Sequence, residues 1–86
     1  MKILCNLNLF ALHQNIYLID EAGIVSPLAA AELEQLPEVL AAICNEHSAH
    51  HVILNGNVAY ADSIAEDIRN FGLKNYSDNN IKVEVI

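Results

Sequence analysis

Residues 51–71 constrain the fold most strongly, because they predict a strand, a tight turn and an amphipathic helix in direct succession. The apolar run at 52–54 has no polar alternation, which is typical of a strand buried on both faces. The apolar residues that follow recur at the spacing of one helical face: Val58, Ala61, Ile64, Ala65, Ile68 and Phe71. We expect Asn57 to cap this helix at its start and Gly72 to end it. The rest of the chain must therefore pack around a central strand-helix unit.

Four further segments carry strand or turn signals. Residues 2–12 alternate between two faces, and an apolar run at 16–19 follows a polar turn. The short apolar pair at 24–25 follows a second turn, so the first part of the chain predicts an antiparallel meander of three strands. Residues 81–86 alternate again and predict a last strand at an edge of the sheet.

A helical segment is expected between the meander and the central strand. Ser26 and Pro27 have the character of an N-cap and first helical residue, and the following run is rich in Ala and Glu. An apolar stripe continues this pattern to His47. Pro37 removes a backbone donor and clashes with the preceding turn, so we expect a break into two short helices near Leu36.

These elements follow one another in the order β-β-β-α-β-α-β. With right-handed crossovers they predict an α+β fold with a five-stranded mixed sheet, spatial order 3-2-1-4-5, and both helices on one face. A split βαβ or ferredoxin-like sandwich is the alternative if residues 24–25 are not a strand. We expect residues 1–86 to form a single domain. The predicted core comprises Ile3, Leu7, Leu18, Leu33, Leu40, Ile43, Val52, Leu54, Ile64, Ile68, Phe71 and Val83.

In this succession of elements the chain resembles the ribonuclease H-like and actin-like superfamily. The resemblance implies a metal-dependent nuclease or a phosphate-binding site, with acidic residues on the first strand and near the end of the fourth. This sequence has neutral amides there instead: Asn6, Asn8, Asn55 and Asn57. We therefore expect a non-catalytic variant of such a fold, with no magnesium- or manganese-dependent nuclease activity, and do not expect an enzyme.

Charge and cysteine content suggest where the protein acts and with what. The formal net charge is −7, and the four basic residues are scattered along the sequence: Lys2, Arg69, Lys74 and Lys82. We therefore expect neither nucleic acid nor an anionic membrane as a partner. No apolar run approaches the ~20 residues of a membrane span.

Two isolated cysteines, Cys5 and Cys44, favour reduced thiols and a cytoplasmic location.

Two residue groups are candidate ligand sites, each with a simpler structural explanation. A turn at a strand's carboxyl end offers backbone N–H groups to an anion, although Asn-Gly is also a common turn: Asn55, Gly56 and Asn57. A possible metal-binding stripe occurs at helical spacing, although histidines also suit the last turn of a helix: Cys44, His47 and His51. No motif calls for a cofactor.

The leading hypothesis from the sequence is a small, non-enzymatic interaction or assembly module, and the alternative is a small-ligand or metal-binding protein. The high apolar content favours a homodimer or another protein partner. Because both helices are expected on one face of the sheet, the other face is left bare. We expect this face to be the interface, with Phe10 as its apolar anchor, comprising Leu4, Asn6, Asn8, Phe10, Tyr17, Lys82 and Glu84.

Overall fold

A computed structural model describes residues 1–56 and 59–86 of the chain. The elements are β1 Lys2–Asn6, β2 Gln14–Ile19, β3 Val25–Ala31, α1 Leu36–His47, β4 His51–Asn55, α2 Ala61–Tyr76 and β5 Lys82–Val85. A short 3-10 turn at Leu33–Gln35 leads into α1. In this part of the chain, neither helix has the length and apolar run that crossing a membrane requires.

The strands form one open, mixed sheet in the order β3-β2-β1-β4-β5. β1 lies at the centre, antiparallel to β2 and parallel to β4. β5 adds to β4 in parallel, and β3 adds to β2 in antiparallel. The predicted α+β fold and strand order are confirmed, and the ferredoxin-like alternative is excluded.

The core lies between the sheet and the two helices, which pack against each other. From the sheet it takes alternate residues of the central strands: Ile3, Cys5, Ile16, Val52 and Leu54. Leu40 and Ile43 of α1 and Ile64 and Ile68 of α2 close over them. Of the other predicted core residues Leu7 is buried, whereas three are only partly buried: Leu18, Leu33 and Val83.

Phe71 is the predicted core residue that the structure contradicts, since 38% of it is exposed. The buried stripe of α2 steps four residues from Ile68 to Gly72, which leaves Phe71 beside the stripe rather than on it.

The predicted helix start at Ser26 and Pro27 is wrong, because both residues belong to β3. β3 is an edge strand, where a proline is tolerated because one row of backbone donors has no partner strand to bond. A register shift between Ile16 and Tyr17 lets β3 follow β2 along its whole length. Pairing with β2 thus overrides the helix propensity of the alanine run.

Pro37 lies in the first turn of α1, where its missing N–H is harmless, so the helix begins at Leu36 instead of breaking there.

Gly72 does not end the last helix, and this prediction is also wrong. α2 continues to Tyr76 and ends at Ser77, which has the left-handed φ of 52°. Gly72 is needed for packing instead, because a Cβ at this position would overlap the side chain of Ile81. The predicted cap, Asn57, lies outside the described residues. α2 begins at Ala61, directly after Tyr60, which is later in the chain than a cap at position 57 implies.

Replacing Gly72 by alanine is expected to destabilise the protein by up to about 2 kcal/mol, because a cost of about 1–3 kcal/mol for displacing Cδ1 of the buried Ile81 is partly offset by the better helix propensity of alanine. In an exposed helix interior the same change would stabilise by about 1 kcal/mol. Asn70→Ala, at an exposed position of α2, is the control and is expected to stabilise by about 0.5 kcal/mol. Urea unfolding measures the free energy of unfolding of the wild type and of both variants. A gain in stability for Gly72→Ala would contradict the tight helix-strand contact.

The two cysteines are free and lie fully inside the core. Burial raises the pKa of Cys5 from 9.0 to about 12. Burial, together with the charge of Asp78, raises the pKa of Cys44 from 9.0 to about 11. Each thiol therefore holds its proton more tightly in the folded chain than in the unfolded chain.

The free energy of unfolding should accordingly lose the contribution of both thiols as the pH rises from 9 towards 11 and 12, and keep it in full below pH 9. Urea unfolding across this range measures the loss. The variant Cys5→Ala/Cys44→Ala separates the thiols from other groups that titrate at high pH. Equal losses in the wild type and the double variant would contradict buried, protonated thiols.

Candidate functional site

The face of the sheet opposite the helices carries three rows of chemically distinct side chains. Residues of neighbouring strands that pair in register lie side by side, and successive rows on one face are about 7 Å apart. Along β1 the rows are centred on Lys2, Leu4 and Asn6. We call this surface the open face.

The first row begins at Ile19, the half-buried register partner of Lys2 on β2; its part across β1, β4 and β5 is basic, and we call that part the cationic row. Lys2 pairs in register with His51, and His51 pairs with Lys82. Both lysines are exposed, and each is one strand away from the histidine, at about 5 Å. The His51 Nε2 atom lies 3.4 Å from Oε2 of Glu84, which belongs to the next row.

The second row is mainly apolar. Tyr17, Leu4 and Ile53 are register partners on β2, β1 and β4, and each is half-buried by its neighbours. Glu84 continues the row at the β5 edge. An aromatic ring beside two aliphatic side chains thus forms the middle of the open face.

The third row consists of amides. Asn15, Asn6 and Asn55 are register partners, and Nδ2 of Asn55 donates a hydrogen bond to Oδ1 of Asn6 at 3.0 Å. Asn6 and Asn55 end β1 and β4, whose onward connections run towards opposite edges of the sheet, and Asn15 lies near the start of β2. Open α/β sheets bind ligands just outside the carboxyl ends of two adjacent strands whose connections diverge in this way. The row offers hydrogen-bond donors and acceptors but no formal charge.

The charge of the open face differs from that of the whole chain. The chain has eleven acidic residues against four basic ones, with a formal net charge of −7. Among the strand residues of the open face, Glu84 is the single acid, against Lys2 and Lys82. The strands of the face therefore carry more basic than acidic side chains, while Asp20 and Glu21 follow Ile19 in the turn at the Lys2 end.

A loop held by a buried amide closes the amide end of the open face. Gln14 is only 2% exposed, and its Nε2 donates to the carbonyl oxygens of Asn8 and Ala11 at 2.9 and 3.3 Å. Its Oε1 accepts from the Asn8 backbone N–H. The Asn8 Oδ1 in turn accepts from the Phe10 N–H at 3.0 Å. The loop therefore has a fixed backbone although its tip is exposed.

The predicted interface residues divide between this face and this loop. Five of them lie on the open face: Leu4, Asn6, Tyr17, Lys82 and Glu84. Asn8 and Phe10 lie beyond the end of β1, since that strand stops at Asn6 instead of reaching residue 12. The role of these residues as an interface stays a prediction.

The predicted anion-binding turn is only partly described. Asn55 ends β4, and Asn57 lies outside the described residues. The Gly56 N–H donates to the carbonyl oxygen of Ile86 at 3.0 Å, so the residue that follows β5 already uses this donor. A Cβ on Gly56 would lie 2.9 Å from Cβ of Leu7, so the glycine also serves close packing.

The predicted metal ligands are not brought together. Cys44 is buried in α1, and His47 lies in the last turn of that helix. His51 lies on β4 and points to the open face, away from the helices, where it contacts Glu84. Among the described residues, no three Cys, His, Asp or Glu side chains are placed to share a metal ion.

Sequence reasoning missed the cationic row, although a signal for it exists. Lys2, His51 and Lys82 are each the first residue of their strand, and these three strands are parallel. Parallel strands start at the same edge of a sheet, so residues far apart in sequence become neighbours. Asn15 joins the amide row because the antiparallel pairing of β2 with β1 sets it beside Asn6.

Comparison with known proteins gives one similarity in fold. No protein-family model and no curated protein sequence matches this chain. Among solved structures, the Holliday junction resolvase of fowlpox virus matches with a TM-score of 0.48 and 18% sequence identity. The match covers 98% of this chain and 60% of the resolvase, so this chain spans less than two thirds of that protein. Similarity at this identity concerns the fold alone.

Three predictions from the sequence are contradicted by this comparison: that the protein is a non-enzymatic interaction module or simple ligand-binding protein, that it is not an enzyme, and that it has no nucleic-acid partner. The matching protein is by its name a resolvase of Holliday junctions. The charge argument treated the four basic residues as scattered, whereas the sheet places Lys2 and Lys82 in one row. The amides at Asn6 and Asn55 argue against one chemistry, two-metal hydrolysis, and against no other.

Proposed function

We propose that this chain binds a nucleic-acid strand on the open face of its sheet and acts in nucleic-acid processing. The observation that carries the proposal is the layering of the face into a cationic, an apolar and an amide row. A single strand presents phosphates, sugars with base faces, and base edges in a comparable order from its backbone outward.

The cationic row is suited to phosphate groups. Lys2 and Lys82 lie two strands apart, at about 10 Å, with His51 between them as a hydrogen-bond donor. The acids of α1 and α2 belong to the layer on the other side of the sheet, whereas Asp20 and Glu21 follow Ile19 at the same end of the sheet as Lys2. Attraction of phosphate groups by the row therefore depends on the lysines being nearer to the ligand than these acids, at separations below the screening length of about 8 Å at physiological salt.

The other two rows are suited to bases. The ring of Tyr17, with Leu4 and Ile53 beside it, offers a surface on which a base can stack or pack. Carboxamides pair with base edges, and Asn binds the adenine edge through one donor and one acceptor. The hydrogen-bonded amides of Asn6 and Asn55 place such groups side by side.

Two finer assignments belong with this proposal. Strand order and the uncovered face support placing the fold in the ribonuclease H-like and actin-like superfamily. Two free, buried cysteines support a reducing compartment such as the cytoplasm.

Binding of a labelled single strand of about 16 nucleotides, measured by fluorescence anisotropy at several salt concentrations, tests the proposed function. The affinity should fall with rising salt, because each phosphate contact on a single strand contributes about 0.7 to the logarithmic salt slope. Lys82→Gln is expected to weaken binding and reduce this slope by about 0.7.

Lys74→Gln is the matched control, because it removes the same charge from an exposed position near the end of α2, on the helix side. It should leave affinity and slope unchanged. Absence of binding by the wild type at low salt would contradict the proposed function. Equal effects of Lys82→Gln and Lys74→Gln would show that the cationic row is not the contact.

A further inference from the structure

The loop between β1 and β2 exposes three large apolar side chains. Phe10 is 98% exposed, Leu12 is 86% exposed and Leu9 is 59% exposed. Exposed apolar groups of this size, concentrated in one short loop, indicate a contact with something outside the chain. Phe10 is the most exposed of them and is the single aromatic residue of the loop.

The backbone beneath Phe10 is fixed before any ligand arrives. The buried Gln14 side chain holds the loop at Asn8 and Ala11, and Asn8 holds the Phe10 N–H. The Ala11 N–H also donates to the Asn8 carbonyl oxygen at 3.2 Å. Little loop entropy is lost when a ligand contacts a tip that is already ordered.

The loop is continuous with the amide row of the open face. Its two ends are Asn6 and Asn15, which are register partners within that row. On the helix side, Leu9 and Leu12 line a cleft of about 350 Å³ together with Glu32 and Glu34. Phe10 does not line that cleft.

We infer that Phe10 stacks on an unpaired base at the amide end of the open face. The preferred ligand is therefore nucleic acid in which a base is unpaired, as opposed to a continuous duplex. The inference rests on the proposed function and specifies its ligand. Stacking accounts for an aromatic residue at the tip, because a base offers a flat π face and no deep pocket.

The test compares three labelled probes in the anisotropy assay: a single strand, its full duplex, and the same duplex with unpaired bases on one strand. The wild type should bind the first and third probes more tightly than the full duplex. Phe10→Ala should weaken binding to those two probes by about 5- to 100-fold, the usual range for loss of one stacked base. Its binding to the full duplex should not change.

Two further variants separate stacking from general loop effects. Phe10→Trp should retain binding, because indole also stacks. Leu12→Ala removes a neighbouring exposed side chain of the same loop and should have no effect. A fluorescent adenine analogue at the unpaired position should change its emission on binding to the wild type, and should not do so with Phe10→Ala.

The outcomes distinguish this inference from the proposed function. If Lys82→Gln weakens binding to all probes while Phe10→Ala weakens none, the open face binds nucleic acid and the stacking role of Phe10 is wrong. If the wild type binds no probe, both proposals fail. A change in sedimentation of the protein alone caused by Phe10→Ala, with nucleic-acid binding unaltered, would assign Phe10 to a contact between copies and overturn the inference.

Discussion

The pairing of β1 with both of its neighbours is the constraint on which the other elements depend. β1 is joined to β2 by a short hairpin and to β4 by a parallel register that starts at the first residue of each strand. Because parallel pairing needs a crossover, α1 must pass over one face of the sheet, and α2 must do the same to reach β5. Right-handedness places both helices on the same face. The core and the open face follow from this single arrangement.

The open face combines properties that a core would not tolerate. Its middle row is apolar, and polar rows lie on either side: lysines with a histidine at one end, and amides at the other. A buried layer of this composition would leave charges and amides without partners, at a cost of several kcal/mol. A polymer that carries phosphates, flat rings and hydrogen-bonding edges satisfies all three rows at once. This composition is the reason that we propose a nucleic-acid strand, rather than a second apolar layer, as the partner of the face.

The sequence was sufficient to predict the strand order, because hydrophobic patterning and crossover handedness act on whole segments. The prediction of secondary structure failed where pairing between strands overrides the local preference of the residues. The alanine run after Pro27 has helix propensity but lies in β3, because β2 offers a full row of backbone partners. Gly72 has the sequence character of a helix end but is required for contact with Ile81. The cationic row was missed for a related reason, since proximity across parallel strands depends on register, and register was not assigned residue by residue.

Gln14 shows how the covered and open sides of the sheet are connected. As a polar side chain that is 2% exposed, it lies on the core side of β2, in a position that apolar residues occupy in the rest of that strand's inward face. An apolar side chain there would have supplied burial but would have left the carbonyl oxygens of Asn8 and Ala11 without this donor. The Gln14 amide instead satisfies the polar groups of the loop backbone, and Phe10 lies at the exposed tip of that loop. A buried hydrogen-bonding side chain thus orders a loop whose tip is apolar and exposed, and the stacking that we propose for Phe10 rests on this order.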